Sequence, residues 1–195
     1  MEDLYYITIQ KEPTAAVLDA LVNIPRPYRL SKDLSLAAEF PEDTYFPMLP
    51  NYGMELRDFV NNQSGALVIS ERVRTFLEIQ EDLSNVEFLP VAVLDHKGRP
   101  VDEQFYVAHI LEHQNCLDGE ASGGEVWPFK PDVFASVERL VLKEGCLDPG
   151  VILFRLDRYP YPVLVRQSLA ERIKAQGFTG IEFNELDGFR HIAIL

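Results

Sequence analysis

One pattern occurs twice in the chain and limits the fold more than any other feature: an apolar run, a short amphipathic stretch, then a second apolar run. The first copy is Leu67-Val68-Ile69, Arg72 to Glu78 and Asn85-Val86-Glu87-Phe88; the second is Val163-Leu164-Val165, Ser168 to Lys174 and Gly180-Ile181-Glu182-Phe183. Val73 and Leu77 answer to Leu169 and Ile173 at an offset of 96 residues, and Val86 answers to Ile181 at 95. Buried positions therefore correspond as well as letters, and the pattern predicts a repeated strand-helix-strand unit whose helices cover one sheet.

Around this unit the chain reads mainly as strands. Leu4 to Ile9 is aromatic and β-branched and predicts a strand, as do Ala66 to Ile69, Val86 to Val93 and Gln104 to Ile110. Pro13-Thr14 predicts the start of a short helix with Val17, Leu18, Leu21 and Val22 on one face. Ser70 and Ser168 stand where helix N-caps are expected. Asp95-His96-Lys97-Gly98 is a turn, and Val137 to Leu142 and Val151 to Leu156 predict two more strands around Asp148-Pro149-Gly150. From Ile24 to Pro50 five prolines break any regular pattern, while Phe40, Tyr45, Phe46 and Tyr52 point to packing on the body. The expected organisation is residues 1–60 as a strand, a short helix and a Pro-rich lobe, and 61–195 as the main domain. Few helices and long alternating strands predict an α+β fold with a mostly antiparallel sheet.

Of the 195 residues 47% are hydrophobic, enough for a substantial core. No apolar run approaches the roughly 20 residues of a membrane-spanning helix, and the start, Met1-Glu2-Asp3, lacks the basic residues of a secretion signal. A cytoplasmic location is expected. The two cysteines, Cys116 and Cys146, have no CxxC spacing and are expected to be small buried hydrophobes. The formal charge is −13, with 31 acids against 18 bases. It is unevenly spread: residues 1–66 hold ten acids and five bases, 67–137 thirteen and five, and 138–195 eight and eight. No base lies between Arg99 and Lys130, a stretch that holds Asp102, Glu103, Glu112, Asp118, Glu120 and Glu125. Such a surface repels nucleic acid and anionic membranes and speeds encounter with a cationic partner.

His109-Ile110-Leu111-Glu112-His113 spells the H-x-x-E-H arrangement of inverted zinc proteases. On a helix, His109 and His113 would share a face and hold zinc, with Glu112 as general base and Glu182 as a conceivable third ligand, giving a metal-dependent hydrolase. Phe105-Tyr106-Val107-Ala108 are strand formers, however, and on a strand Glu112 would point away from both histidines. Ordinary surface or interface histidines are the expected reading. No GxSxG elbow, P-loop or G-x-G-x-x-G string occurs, so no catalytic residue and no cofactor is assigned.

The segment from Asp102 to Phe129 interleaves those acids with Phe105, Tyr106, His109, His113, Trp127 and Phe129, the composition of aromatic anchors among charges. Trp127, the single tryptophan, suits either a core plug or an exposed anchor. The strings Leu67 to Val73, Val86 to Val91, Tyr106 to Leu111, Cys116-Leu117-Asp118, Leu153 to Leu156 and Val163 to Phe183 together resemble the eleventh immunity-protein family of bacterial polymorphic toxin systems, over about residues 60–187. That resemblance implies a cytoplasmic protein that binds and neutralises a cognate toxin encoded beside it, without catalysis. The expected toxin-binding residues are Asp102, Glu103, Glu112, Asp118, Glu120, Glu125 and Trp127, facing a partner that is basic if it is a nuclease. An adaptor in a secretion apparatus is the remaining alternative.

Overall fold

The computed structural model describes residues 3–189. In chain order the strands are β1 (Leu4–Ile9), β2 (Val17–Leu18), β3 (Tyr45–Pro47), β4 (Phe59–Asn62) and β5 (Val68–Ser70), then helix α1 (Glu71–Glu78), β6 (Val86–Leu94) and β7 (Phe105–Ile110). There follow β8 (His113–Gln114), β9 (Glu125–Trp127), β10 (Lys130–Ser136), β11 (Leu153–Leu156), β12 (Tyr159–Arg166), helix α2 (Gln167–Ala175) and β13 (Ile181–Glu185). These form two compact units, one of residues 9–111 with 176–182, the other of the described residues 3–8, 112–175 and 183–189. The composition boundary at residue 60 falls inside β4.

The first unit is built on six strands in the order β2-β4-β5-β7-β6-β3. Its two end strands meet: Leu18 bridges Met48, Val22 bridges Tyr45, and the amide of Asp19 donates to Pro47 O at 2.8 Å. The sheet thus curls into a small, nearly closed barrel. Leu18, Phe46, Val68 and Phe105 fill it, each fully buried, with Met48, Val60, Leu89, Val91, Val93 and Val107 around them. Gly180 is tied to this unit. Its φ of +85° and the close approach of Phe59 O to where a Cβ would stand both require glycine.

In the second unit the strand order is β13-β1-β12-β11-β8, with β9 and β10 as a separate two-stranded sheet. Tyr6, Phe154, Leu156, Tyr159, Leu164 and Phe189 form its core, and Tyr6 and Phe189 meet edge to face at 5.3 Å.

The α+β expectation is overturned. Strands make up 37% and helices 13%, and the two α-helices have eight and nine residues. Nor do the repeated strings form covering strand-helix-strand units. β7 lies between β5 and β6, and β1 lies between β12 and β13, so neither helix joins neighbouring strands. The letters repeat because both segments are buried; the strand that separates each pair lies outside the repeated string, β7 following β6 in the chain and β1 coming from far upstream of β12. The helix expected from Pro13 is also absent. Leu18 and Val22 have the right spacing for one, but their backbone groups are taken up in closing the barrel. Between Val137 and Leu142 there is no strand; the strand lies one element earlier, at β10. Ser70 caps α1 as expected, accepting from the Val73 amide, whereas Ser168 lies inside α2. Phe46 is buried as expected, whereas Tyr52 is exposed. Cys116 is buried, but Cys146 is exposed, contrary to expectation.

Candidate functional site

β9 and β10 form a hairpin whose root is fixed and whose tip is apolar. Phe134, on β10, is buried, with the Arg158 guanidinium 4.4 Å from its ring centroid. The same guanidinium donates to Asp132 O and Pro131 O, each at 3.1 Å, and the Phe134 amide donates to Arg158 O at 2.8 Å. Gly119 and Gly124 lie directly against the Phe134 ring, leaving no room for a Cβ at either position. The loop between them is ordered from within. The buried Ser122 hydroxyl donates to Val141 O and accepts from its amide, while Asp118 Oδ1 accepts from Ala121 N. The Arg139 Nε donates to Ala121 O at 2.6 Å.

On this rigid root Val126 is 45% exposed, Trp127 46% and Phe129 96%. Three large apolar side chains in water within four residues are a local liability unless something covers them. Trp127 therefore stands as an exposed side chain and not as a core plug. Phe129 was not among the expected binding residues; its signal was the pair of aromatics flanking Pro128, a turn former, beside an acidic glycine-containing loop.

The expected acids divide between the two units: Asp102 and Glu103 lie in the barrel unit, Glu112, Asp118, Glu120 and Glu125 in the other. Asp102, Glu103, Glu120 and Glu125 are exposed; Glu112 and Asp118 are partly covered. Glu125 accepts from the Ser136 hydroxyl at 3.1 Å, and Glu112 accepts from Gln114. Among the described residues none of the six is held by a base. In the barrel unit, Glu12, Glu39, Glu55, Asp58, Glu71, Glu78 and Asp95 are each paired with an arginine.

His109 is buried on β7, its Nε2 2.9 Å from Leu34 O. A carbonyl only accepts, so Nε2 is the donor in this contact. His113 lies on β8, in register with Arg155. Neither histidine is on a helix, and the shared helical face that the H-x-x-E-H motif needs does not form. Among the described residues no group of three or more His, Cys, Asp or Glu gathers as a metal site. Arg155 itself is fully buried without a carboxylate; its Nη1 donates to Pro160 O and Tyr161 O, and burial holds its pKa down at about 10.

Compared with known families, the chain matches the immunity protein family Imm11 over residues 8–187. The chain belongs to this family. The Imm11 match takes in the barrel strands β2 and β3, which lie outside the resemblance over about residues 60–187. Comparison with curated proteins found no match. Membership makes this Imm11 chain an immunity protein of a toxin system, with a toxin as its partner. Among its described residues no helix is long and apolar enough to cross a membrane.

Proposed function

We propose that this Imm11 protein neutralises a cognate toxin in the cytoplasm by binding it directly and covering its working surface, without catalysing a reaction. The observation that carries the reading is the exposed apolar tip of the β9–β10 hairpin beside carboxylates that no base neutralises. Burying Val126, Trp127 and Phe129 against a partner would return roughly 1.5–3 kcal/mol for each side chain, and aromatic anchors of this kind dominate protein interfaces. The free carboxylates suit a basic partner surface, such as the substrate groove of a nuclease. The family supports the partner class, and the exposed hairpin tip supports this location for the contact.

The test uses the toxin domain encoded beside this chain's gene, measured by calorimetry and by growth rescue. Replacing Trp127 and Phe129 together by Ala is expected to weaken binding by at least about 30-fold, the scale of one strong anchor. The double charge reversal of the exposed Glu120 and Glu125 to Lys should weaken it further while leaving the melting temperature within a few degrees. Unchanged affinity in both variants would place the interface elsewhere.

A further inference from the structure

The hairpin presents a backbone edge as well as side chains. Among the described residues β9 pairs with β10 and with no other strand. Val126 stands opposite Phe134 in that pair, and the Phe134 amide is directed away from β9, to Arg158 O at 2.8 Å. Opposite residues in an antiparallel pair turn their amides and carbonyls both inward or both outward. The N–H and C=O of Val126 therefore face away from β10, on the open side.

Exposed edges are ordinarily guarded by Lys, Pro, a bulge on the edge strand or a covering loop. β9 reads Glu125-Val126-Trp127, and its three residues are all exposed. The register irregularities lie between the β10 positions on either side of Phe134, which leaves the Val126–Phe134 pair fixed by the buried ring. Charge selects among possible occupants. A second copy would bring another −13 to a loop already carrying Asp118, Glu120 and Glu125. An extended segment bearing Lys or Arg would instead meet those carboxylates while its backbone bonded to Val126.

We propose that β9 accepts a strand of the toxin on its open edge, extending the hairpin to a three-stranded sheet, with basic residues of that strand over the 118–125 loop. The proposal rests on the toxin-binding reading above and specifies how the partner is held. Main-chain bonds at Val126 supply sequence-independent affinity, while Trp127 and the acids supply selectivity.

Val126→Pro removes the outward N–H at a position where proline fits, since an edge strand tolerates it on the solvent side. Val126→Thr keeps the N–H and the branched shape. With the toxin domain of the neighbouring gene, V126P should bind at least about tenfold more weakly than V126T, the weight of one backbone hydrogen bond. In the unsubstituted complex the Val126 amide, followed by NMR hydrogen exchange, should slow at least tenfold relative to the free protein; this readout decides if V126P fails to fold. Equal affinity of the folded V126P and V126T proteins, or a Val126 amide exchanging at its free rate in the complex, overturns strand addition. If W127A/F129A abolishes binding while V126P does not, only the edge proposal fails; if no complex forms with any variant or with the parent, both fail. A dimer at micromolar concentration that V126P dissociates would assign the edge to a second copy and overturn the proposal.

Discussion

Asp95 shows how one carboxylate can be fixed by its turn. It accepts from the Arg99 guanidinium at 2.7 and 3.0 Å and from the amides of Lys97 and Arg99 at 2.8 and 2.9 Å. The Arg99 side chain, followed by these amides, holds its pKa down at about 2, below the ordinary 3.8. A carboxyl whose folded pKa is depressed stabilises the folded state above its ordinary pKa, and that contribution disappears as pH falls toward the folded value. Asp95→Asn should therefore melt below the parent at pH 6, with the difference shrinking from about pH 4 and closing near pH 2. Parallel melting curves across that range would show that the ion-pair geometry contributes nothing. The contrast with Asp118 and Glu120 is chemical: Asp95 has a base four residues on, while no Lys or Arg lies within nine residues of either of them in the sequence. That difference was legible in the sequence, because a local pair needs only a short spacing.

Among the elements, α1 was read from local signals that the fold kept. Ser70 accepts from the Val73 amide at 3.4 Å and donates to Asp58 at 2.9 Å. Ser70→Ala should lower stability in urea unfolding by about 1–2 kcal/mol, the usual weight of an N-cap; a loss below about 0.3 kcal/mol would mean the cap is idle. The strands β1, β6 and β7 were equally legible, since alternation along one stretch marks them. The barrel was not. Its closure depends on backbone pairing between 17–22 and 45–49, which leaves no periodic trace in side chains. The repeat misled for a related reason: burial shapes the letters, while adjacency is decided by strands outside the repeated string, β7 just after the first copy and β1 far before the second. At the hairpin, Trp127 and its acids were visible as composition. Its strands were not, because irregular register breaks the alternation of β10 and because Phe134 is covered by Arg158 from a distant segment.

For the molecule as a whole, the net charge of −13 bears on encounter more than on fold. If the toxin surface is basic, stopped-flow association should slow at least about tenfold between 20 and 300 mM salt, as screening shortens the reach of these charges. An association rate indifferent to salt would mean that the apolar tip alone selects the partner. Connectivity has a different outcome, and it concerns synthesis. β1 lies near the start of the chain, yet Tyr6 pairs with Leu164 on β12. At about 5–20 residues per second on the ribosome, Leu4-Tyr5-Tyr6-Ile7 waits roughly 8–30 s for its neighbour. A message cut short before β12 would leave that aromatic strand without this partner, an unpaired edge open to proteolysis. Toxin binding as proposed above would then require translation through β12 in each molecule made.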